Sequence, residues 1–322
     1  MTVYLSGSKG PEVERIQFKL KELGYYKGPI DGDFGGGTER AVKDYQRSNG
    51  LTIDGKVGPE TWANLFNGES IPKPEISQKP LAQRVLALTG SFETGKMIPD
   101  CFAGLSGDFD GQGISFGVLQ WNFGQGSLQP LLKEMNAKHA DIIRDIFDEE
   151  YETLIEVLEE YGYEDQMKWV RSIQHPINHR FYEPWRGFFK TLGRIEKFQK
   201  IQTKYSSDLY QKAIDLCRQY ELWSERALAL MFDIKVQNGS ISRMVRLQIE
   251  EDFGNLEANF HRDRLEVEKM RIIANRRAEA SRAMWIEDVR SRKLCVVNGE
   301  GIVHGINYHI ENQFNIALRP FA

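Results

Sequence analysis

Ile30-Asp31-Gly32-Asp33-Phe34-Gly35 followed by Thr38 returns as Ile53-Asp54-Gly55-Lys56-Val57-Gly58 followed by Thr61, at a constant offset of 23 residues. An internal repeat restricts a chain severely, because both copies must reach the same local conformation. In each copy Asp-Gly supports a tight turn, glycine tolerates positive φ, and threonine stands where a helix would be capped. Apolar residues recur at helical spacing around the copies, with Val13, Ile16, Leu20 and Leu23 on one stripe and Ala41, Val42 and Tyr45 on another. Residues 1–68 are therefore expected to form a small all-helical domain.

The pattern breaks at GESIPKPEISQKP, where three prolines interrupt it, and residues 69–80 are expected to be a semi-extended linker to a second domain over 81–322. A length of 322 residues suits two domains. A net charge of −4 offers no basic excess for nucleic acid, and no apolar run is long enough to promise stable membrane insertion. The amino terminus lacks the pattern of a secretory signal. Cys101, Cys217 and Cys295 are widely separated, without metal-ligand spacing, and read as free buried thiols. His175 and His179 stand four apart, but Pro176 intervenes and no third ligand is near. No cofactor or metal is expected.

Leu81, Val85, Leu86 and Ala87 begin a helix that ends at Thr89-Gly90-Ser91-Phe92-Glu93-Thr94-Gly95. The glycine-rich GLSGDFDGQGISFGVLQWN follows, and its Asp-Gly turns and apolar run from Phe116 to Leu119 predict a short β-hairpin leading into further helices. Glycoside cleavage needs one carboxyl held protonated in an apolar setting, which Glu93 after Phe92 suits. It commonly uses a second, ionised carboxylate in a polar setting, for which Asp110 and Asp108 are candidates. Either aspartate could instead simply close a turn, and Gln120 is either a substrate contact or a buried hydrogen-bonding prop. Eleven acidic residues over 141–165 read as a solvated face, or as an attractor for a cationic polysaccharide such as chitosan. Residues 262–293 are arginine-rich with apolar residues at helical spacing, and predict one long helix with its charges mostly in water.

The stretch EVERIQFKLKELGYYKGPIDGDFGGGTERAVKDYQRSNGLTIDGKVGPETWANL resembles the three-helix peptidoglycan-binding domain found in many cell-wall hydrolases, over residues 8–66. The resemblance implies wall contacts, with Tyr25, Tyr26, Asp31, Asp54 and Trp62 as candidates, although Trp62 and Leu65 also fall at core spacing. FET-G followed by GDFDGQGISFG resembles the catalytic segment of bacterial chitosanases, within the lysozyme-like superfamily. That resemblance implies Glu93 as general acid, Asp110 as general base, and Ser115 where the family carries the threonine that positions water; Gln112 replaces the family's arginine. Ser115 to Gln120 is also similar to the YGLMQ segment of goose-type lysozymes and lytic transglycosylases, which implies that Gln120 lies in the substrate cleft. Met231 to Gly239 and Gly299 to Gly305 resemble segments of phage-type lysozymes, and with Asp108 they bring Asp233 and Gln237 in as substrate contacts.

Together these resemblances are those of a phage-type modular endolysin. The expected fold is mainly α, a three-helix peptidoglycan-binding domain linked to a lysozyme-like α+β domain with a small β-hairpin at the active site. The expected function is hydrolysis of the β-1,4 bond between N-acetylmuramic acid and N-acetylglucosamine of peptidoglycan glycan strands, by a monomer. The alternatives are a lytic transglycosylase using Glu93 alone, a chitosanase, and a non-catalytic wall-binding phage component. Synthesis in a bacterial cytoplasm without a signal peptide, then action in the periplasm or wall after holin-type release or injection, completes the expectation.

Overall fold

A computed structural model describes residues 2–256 and 260–321. The chain is mostly helical, with small antiparallel sheets, and forms two compact units: Met1–Leu88 with Lys212–Ala322, and Thr89–Gln211.

In the first unit, α1 (Pro11–Glu22), α2 (Gly36–Ser48) and α3 (Pro59–Leu65) form a module. Proline opens α1 and α3, where a missing N–H costs nothing. Val13, Ile16, Leu20, Phe34, Val42, Val57 and Trp62 are fully buried in its core. Each copy of the repeat is tied down by one buried glutamine. Gln17 Oε1 accepts from the Asp31 and Gly32 N–H groups at 3.1 and 2.9 Å, and its Nε2 donates to Asp31 Oδ1 at 2.8 Å and the Asp33 carbonyl at 2.9 Å. Gln46 does the same for the second copy, accepting from Gly55 N–H and donating to Asp54 Oδ1 and the Lys56 carbonyl, all at 2.9 Å. Backbone polar groups of an interior turn need partners, and one amide supplies both a donor and an acceptor. Gly32 and Gly55 sit at φ +68° and +73°, which explains why glycine recurs there.

The stretch expected to be a semi-extended linker is docked within this unit. Tyr4 Oη donates to the Pro72 carbonyl at 2.9 Å, Asn315 Nδ2 donates to the Ser77 carbonyl at 3.1 Å, and Ile76 is buried. Prolines and polar residues around Ile76 hide from a composition reading that one apolar side chain finds cover.

From α4 (Leu81–Thr94) the chain enters the second unit. A three-stranded sheet of two-residue strands follows, β1 (Leu105–Ser106), β2 (Ser115–Phe116) and β3 (Trp121–Asn122), with Leu105 opposite Phe116 and Phe116 opposite Trp121. The predicted hairpin thus gains a third strand. Helices α5 (Gln129–Phe147), α6 (Tyr151–Glu159), α7 (Tyr163–Ser172), α8 (Trp185–Arg194) and α9 (Glu196–Tyr205) surround it. Phe116 anchors the sheet, stacking on Phe198 at 5.6 Å and meeting Phe189 edge-on at 5.2 Å. Ser115, one residue away, faces the other side and is half-exposed.

After α10 (Ser207–Gln219) the first unit resumes with α11 (Glu225–Asn238), α12 (Arg243–Gly254), α13 (Arg262–Glu279), α14 (Ile286–Asn298), the hairpin β4 (Glu300–Val303) with β5 (Ile306–His309), and α15 (Ile310–Phe314). The long helix expected over 262–293 is two helices, broken by a 3-10 turn at Ala283–Trp285. Its charges are not all in water, because Arg292 and Lys293 are buried. Cys101, Cys217 and Cys295 are free and buried, and burial pushes the Cys295 thiol up to about 12. No helix among the described residues is long and apolar enough to cross a membrane.

Gln46→Ala leaves the second turn's backbone groups buried without partners, and is expected to destabilise the module by about 2 kcal/mol. Amide hydrogen exchange checks this: Gly55 N–H loses protection, while the α5 amides of the second unit keep theirs.

Candidate active site

Glu93 lies in the last turn of α4 with its side chain exposed, and Phe92 is fully buried. Consecutive side chains on a helix point about 100° apart, so Phe92 turns into the core while Glu93 turns outward. Thr94 Oγ1 donates to the Gly90 carbonyl at 2.7 Å, and Gly95, at φ +63°, turns the chain away. Gly90 sets the helix against the sheet, since a Cβ at that position would overlap Val118 Cγ2. Buried Gln202 fixes the other side of the contact: its Oε1 accepts from Val118 N–H at 2.8 Å, and its Nε2 donates to the Phe102 carbonyl at 3.0 Å. The close packing at Gly104 places Gln120 beside the acid's neighbour, because a Cβ on Gly104 would lie 2.8 Å from both Gln120 Nε2 and Thr94 Cγ2. Gln120 has φ +55°, is half-exposed, and donates to the Gly117 carbonyl at 2.8 Å.

The loop between β1 and β2 carries both aspartates, and they differ. Asp108 Oδ1 accepts from Gly113 N–H at 2.7 Å and Oδ2 from Arg171 Nε at 2.9 Å, leaving its side chain 7% exposed. Burial alone would push its carboxyl up, but the hydrogen bonds from Arg171 and Gly113 and the charges of Arg171 and His179 outweigh it and hold the group below its ordinary range. The Asp108 N–H donates to Gln174 Oε1 at 2.9 Å, so a fourth buried glutamine pins the loop base. Asp110, at the tip, is exposed and accepts one bond, from Gln112 N–H at 3.1 Å. Phe109 between them is 71% exposed and meets the His179 ring edge-on at 5.0 Å. Ser115 stands in the cross-strand row of Ser106 and Asn122.

Other nominated residues have different places. Asp233 is buried, with Oδ1 at 2.6 Å from Arg292 and Oδ2 at 3.1 Å from Lys293, and Gln237 Oε1 accepts from Lys293 at 2.6 Å. Burial would push the Asp233 carboxyl up, yet the two cations hold it below its ordinary range. Both its oxygens face cations rather than a cleft, which corrects the expectation of a substrate contact at Asp233, whereas Gln237 is half-exposed. Among the expected wall contacts, Asp31 and Asp54 serve their turns, Trp62 is fully buried, and Tyr26 is buried with its Oη donating to the Pro29 carbonyl at 2.9 Å. Tyr25 remains half-exposed, edge-on to Tyr45 at 5.4 Å. The sequence reading missed an open groove of about 660 Å³ lined by Arg15, Phe18, Ile30 and Phe66. The available signal was Phe18, an aromatic residue off the buried stripe of α1 and 59% exposed.

Comparisons with known proteins bear on the amino-terminal module. Residues 9–65 match the family model of a peptidoglycan binding domain. The chain is 46% identical over 57 residues to an N-acetylmuramoyl-L-alanine amidase of Mycobacterium tuberculosis, covering 18% of this chain and 14% of that protein. It is 35% identical over 77 residues to a spore cortex-lytic enzyme of Oceanobacillus iheyensis, covering 24% of this chain and 28% of that one. The chain thus spans less than a third of the length of these curated relatives. Among solved structures, a chitosanase from Bacillus subtilis MY002 aligns with a TM-score of 0.45 at 13% identity, over 72% of this chain and 98% of that chain.

Two outcomes test the local geometry. Gly90→Ala gains helix propensity but forces Val118 aside, so a net loss of about 1–2 kcal/mol is expected in urea denaturation, with recovery in the Gly90→Ala/Val118→Ala double variant. Asp108→Asn destabilises the loop at neutral pH. Because the native carboxyl sits below the ordinary range, its stabilisation is present above about pH 4 and is lost as the pH falls through the depressed value, so the gap between Asp108→Asn and the parent narrows in acid.

Proposed function

We propose that this chain is a cell-wall glycosidase that holds peptidoglycan through its amino-terminal module and cleaves the β-1,4 bond between N-acetylmuramic acid and N-acetylglucosamine with groups of the second unit. Glu93 donates a proton to the leaving oxygen. Asp110 acts as the base that activates water, Ser115 orients that water, and Gln120 hydrogen-bonds a sugar. The reading rests on the contact of Gly90 with Val118, which seats the acid-bearing helix end on the glycine-rich sheet whose loop carries a second accessible carboxylate. Asp110 is preferred to Asp108 because both Asp108 oxygens are already engaged, whereas a base must reach water. The match of residues 9–65 supports the wall as the place of action, where tethering raises the local concentration of bonds to cut.

The test uses purified sacculi and the full chain. Glu93→Gln is expected to reduce release of soluble glycan by about 10³-fold while co-sedimentation with sacculi persists; lysis that survives this change overturns the assignment. Asp110→Asn lowers turnover by about 10²-fold for a hydrolase, whereas a lytic transglycosylase, which uses the substrate's own hydroxyl, tolerates it. Mass spectrometry separates the two, since anhydro-sugar ends exclude hydrolysis. Reducing ends released from chitosan but not from sacculi would assign the chain to chitosan instead.

A further inference from the structure

The buried face of α8 is apolar, with Trp185, Phe189 and Leu192, and its other face carries Arg186, Lys190 and Arg194 at intervals of four. Residues four apart stack on one side of a helix, so these cations form a ridge. The segment that leaves Glu93 runs along it. Arg194 Nε pairs with Asp100 Oδ1 at 2.7 Å, and Gly193 packs so closely that a Cβ there would strike Ala103. Lys96 lies on that segment, three residues after Glu93, so the two Cα atoms are within about 11 Å.

The charges on this ridge do not balance. Arg186 pairs with Glu183 at 2.8 Å and Arg194 with Asp100, but Lys96 and Lys190 have no carboxylate partner among the described residues. Lys190 registers the crowding: its burial, and then the charges of Arg186, Lys96 and Arg194, push its ammonium below the ordinary value, and Asp100 acts the other way. Two unpaired ammonium groups held among like charges form a site that an anionic ligand relieves. A cationic glycan would be repelled.

We infer that the ridge of Lys96, Arg186, Lys190 and Arg194 receives the carboxylates of the peptide stems borne by a peptidoglycan strand, so that the second unit selects stem-bearing strands over neutral or cationic glycans. This rests on the reading of Glu93 as the acid, because it places the ridge beside the bond to be cut. The acidic residues 141–165, which could have favoured chitosan, lie on α5 to α7, whereas the segment joined to Glu93 is bordered by cations.

The experiment measures binding in the Glu93→Gln background, with soluble glycan strands freed of phosphate polymers and prepared either with stems or with stems removed by an amidase. Titration calorimetry is expected to show about tenfold tighter binding of stem-bearing strands. That preference shrinks with added salt, collapses toward one in Lys96→Ala/Lys190→Ala, and persists in Lys190→Arg. Every variant carries the same amino-terminal module, so the change in preference reports the ridge. A preference that is absent in the parent, is unchanged in the double variant, or appears only when phosphate polymers are left attached overturns the inference. Failure of the active chain to cut any glycan overturns the role of Glu93 instead, and the binding comparison still reads the ridge.

Discussion

A buried side-chain amide that satisfies the backbone of a turn or loop recurs at four glycine-bearing segments of this chain. Gln17 and Gln46 do this for the two copies of the repeat, Gln174 for the base of the loop with Asp108, and Gln202 for the segment at Val118. Glycine-rich turns have little apolar surface to bury, so packing alone cannot order them, and their N–H and C=O groups cannot be left unpaired in the interior. Glutamine solves both problems, from a neighbouring helix at Gln17, Gln46 and Gln202 and from just beyond the end of α7 at Gln174, because it offers a donor and an acceptor on a stem long enough to reach.

Glycine supplies the complementary constraint in the second unit. At Gly90 and Gly104 the missing side chain lets helix, sheet and turn approach to a distance that any Cβ would prevent. The candidate acid and the Gln120 amide are therefore placed by close contacts near their backbones. Long side chains alone would leave them looser, and catalytic geometry tolerates little slack.

Function then divides between two kinds of surface. Asp108 is a strut, with Arg171 and Gly113 consuming its oxygens, and Asp110 two residues on is open to solvent. A similar contrast holds between Arg186 and Arg194, which pair with carboxylates, and Lys96 and Lys190, which have no carboxylate partner among the described residues. In both cases a group already compensated by its neighbours stabilises the fold, and a group left uncompensated is available to a ligand.

The repeat, the module's helices, the sheet after α4 and the position of Glu93 at a helix end were legible in the residues, because turn chemistry and apolar spacing act over a few positions. The long-range outcomes were not. Asp108 meets Arg171 across 63 positions, Asp233 meets Arg292 across 59, and Ser77 is held by Asn315 across 238, and these contacts decided which aspartate is open, which is sealed, and that the proline-rich stretch is docked. Trp62, although at core spacing, and Tyr26 both stood as candidate wall contacts until the packing buried them. Local sequence determined which segments turn and which coil; tertiary structure alone decided which polar groups keep a free valence, since that depends on partners the chain brings together only when it folds.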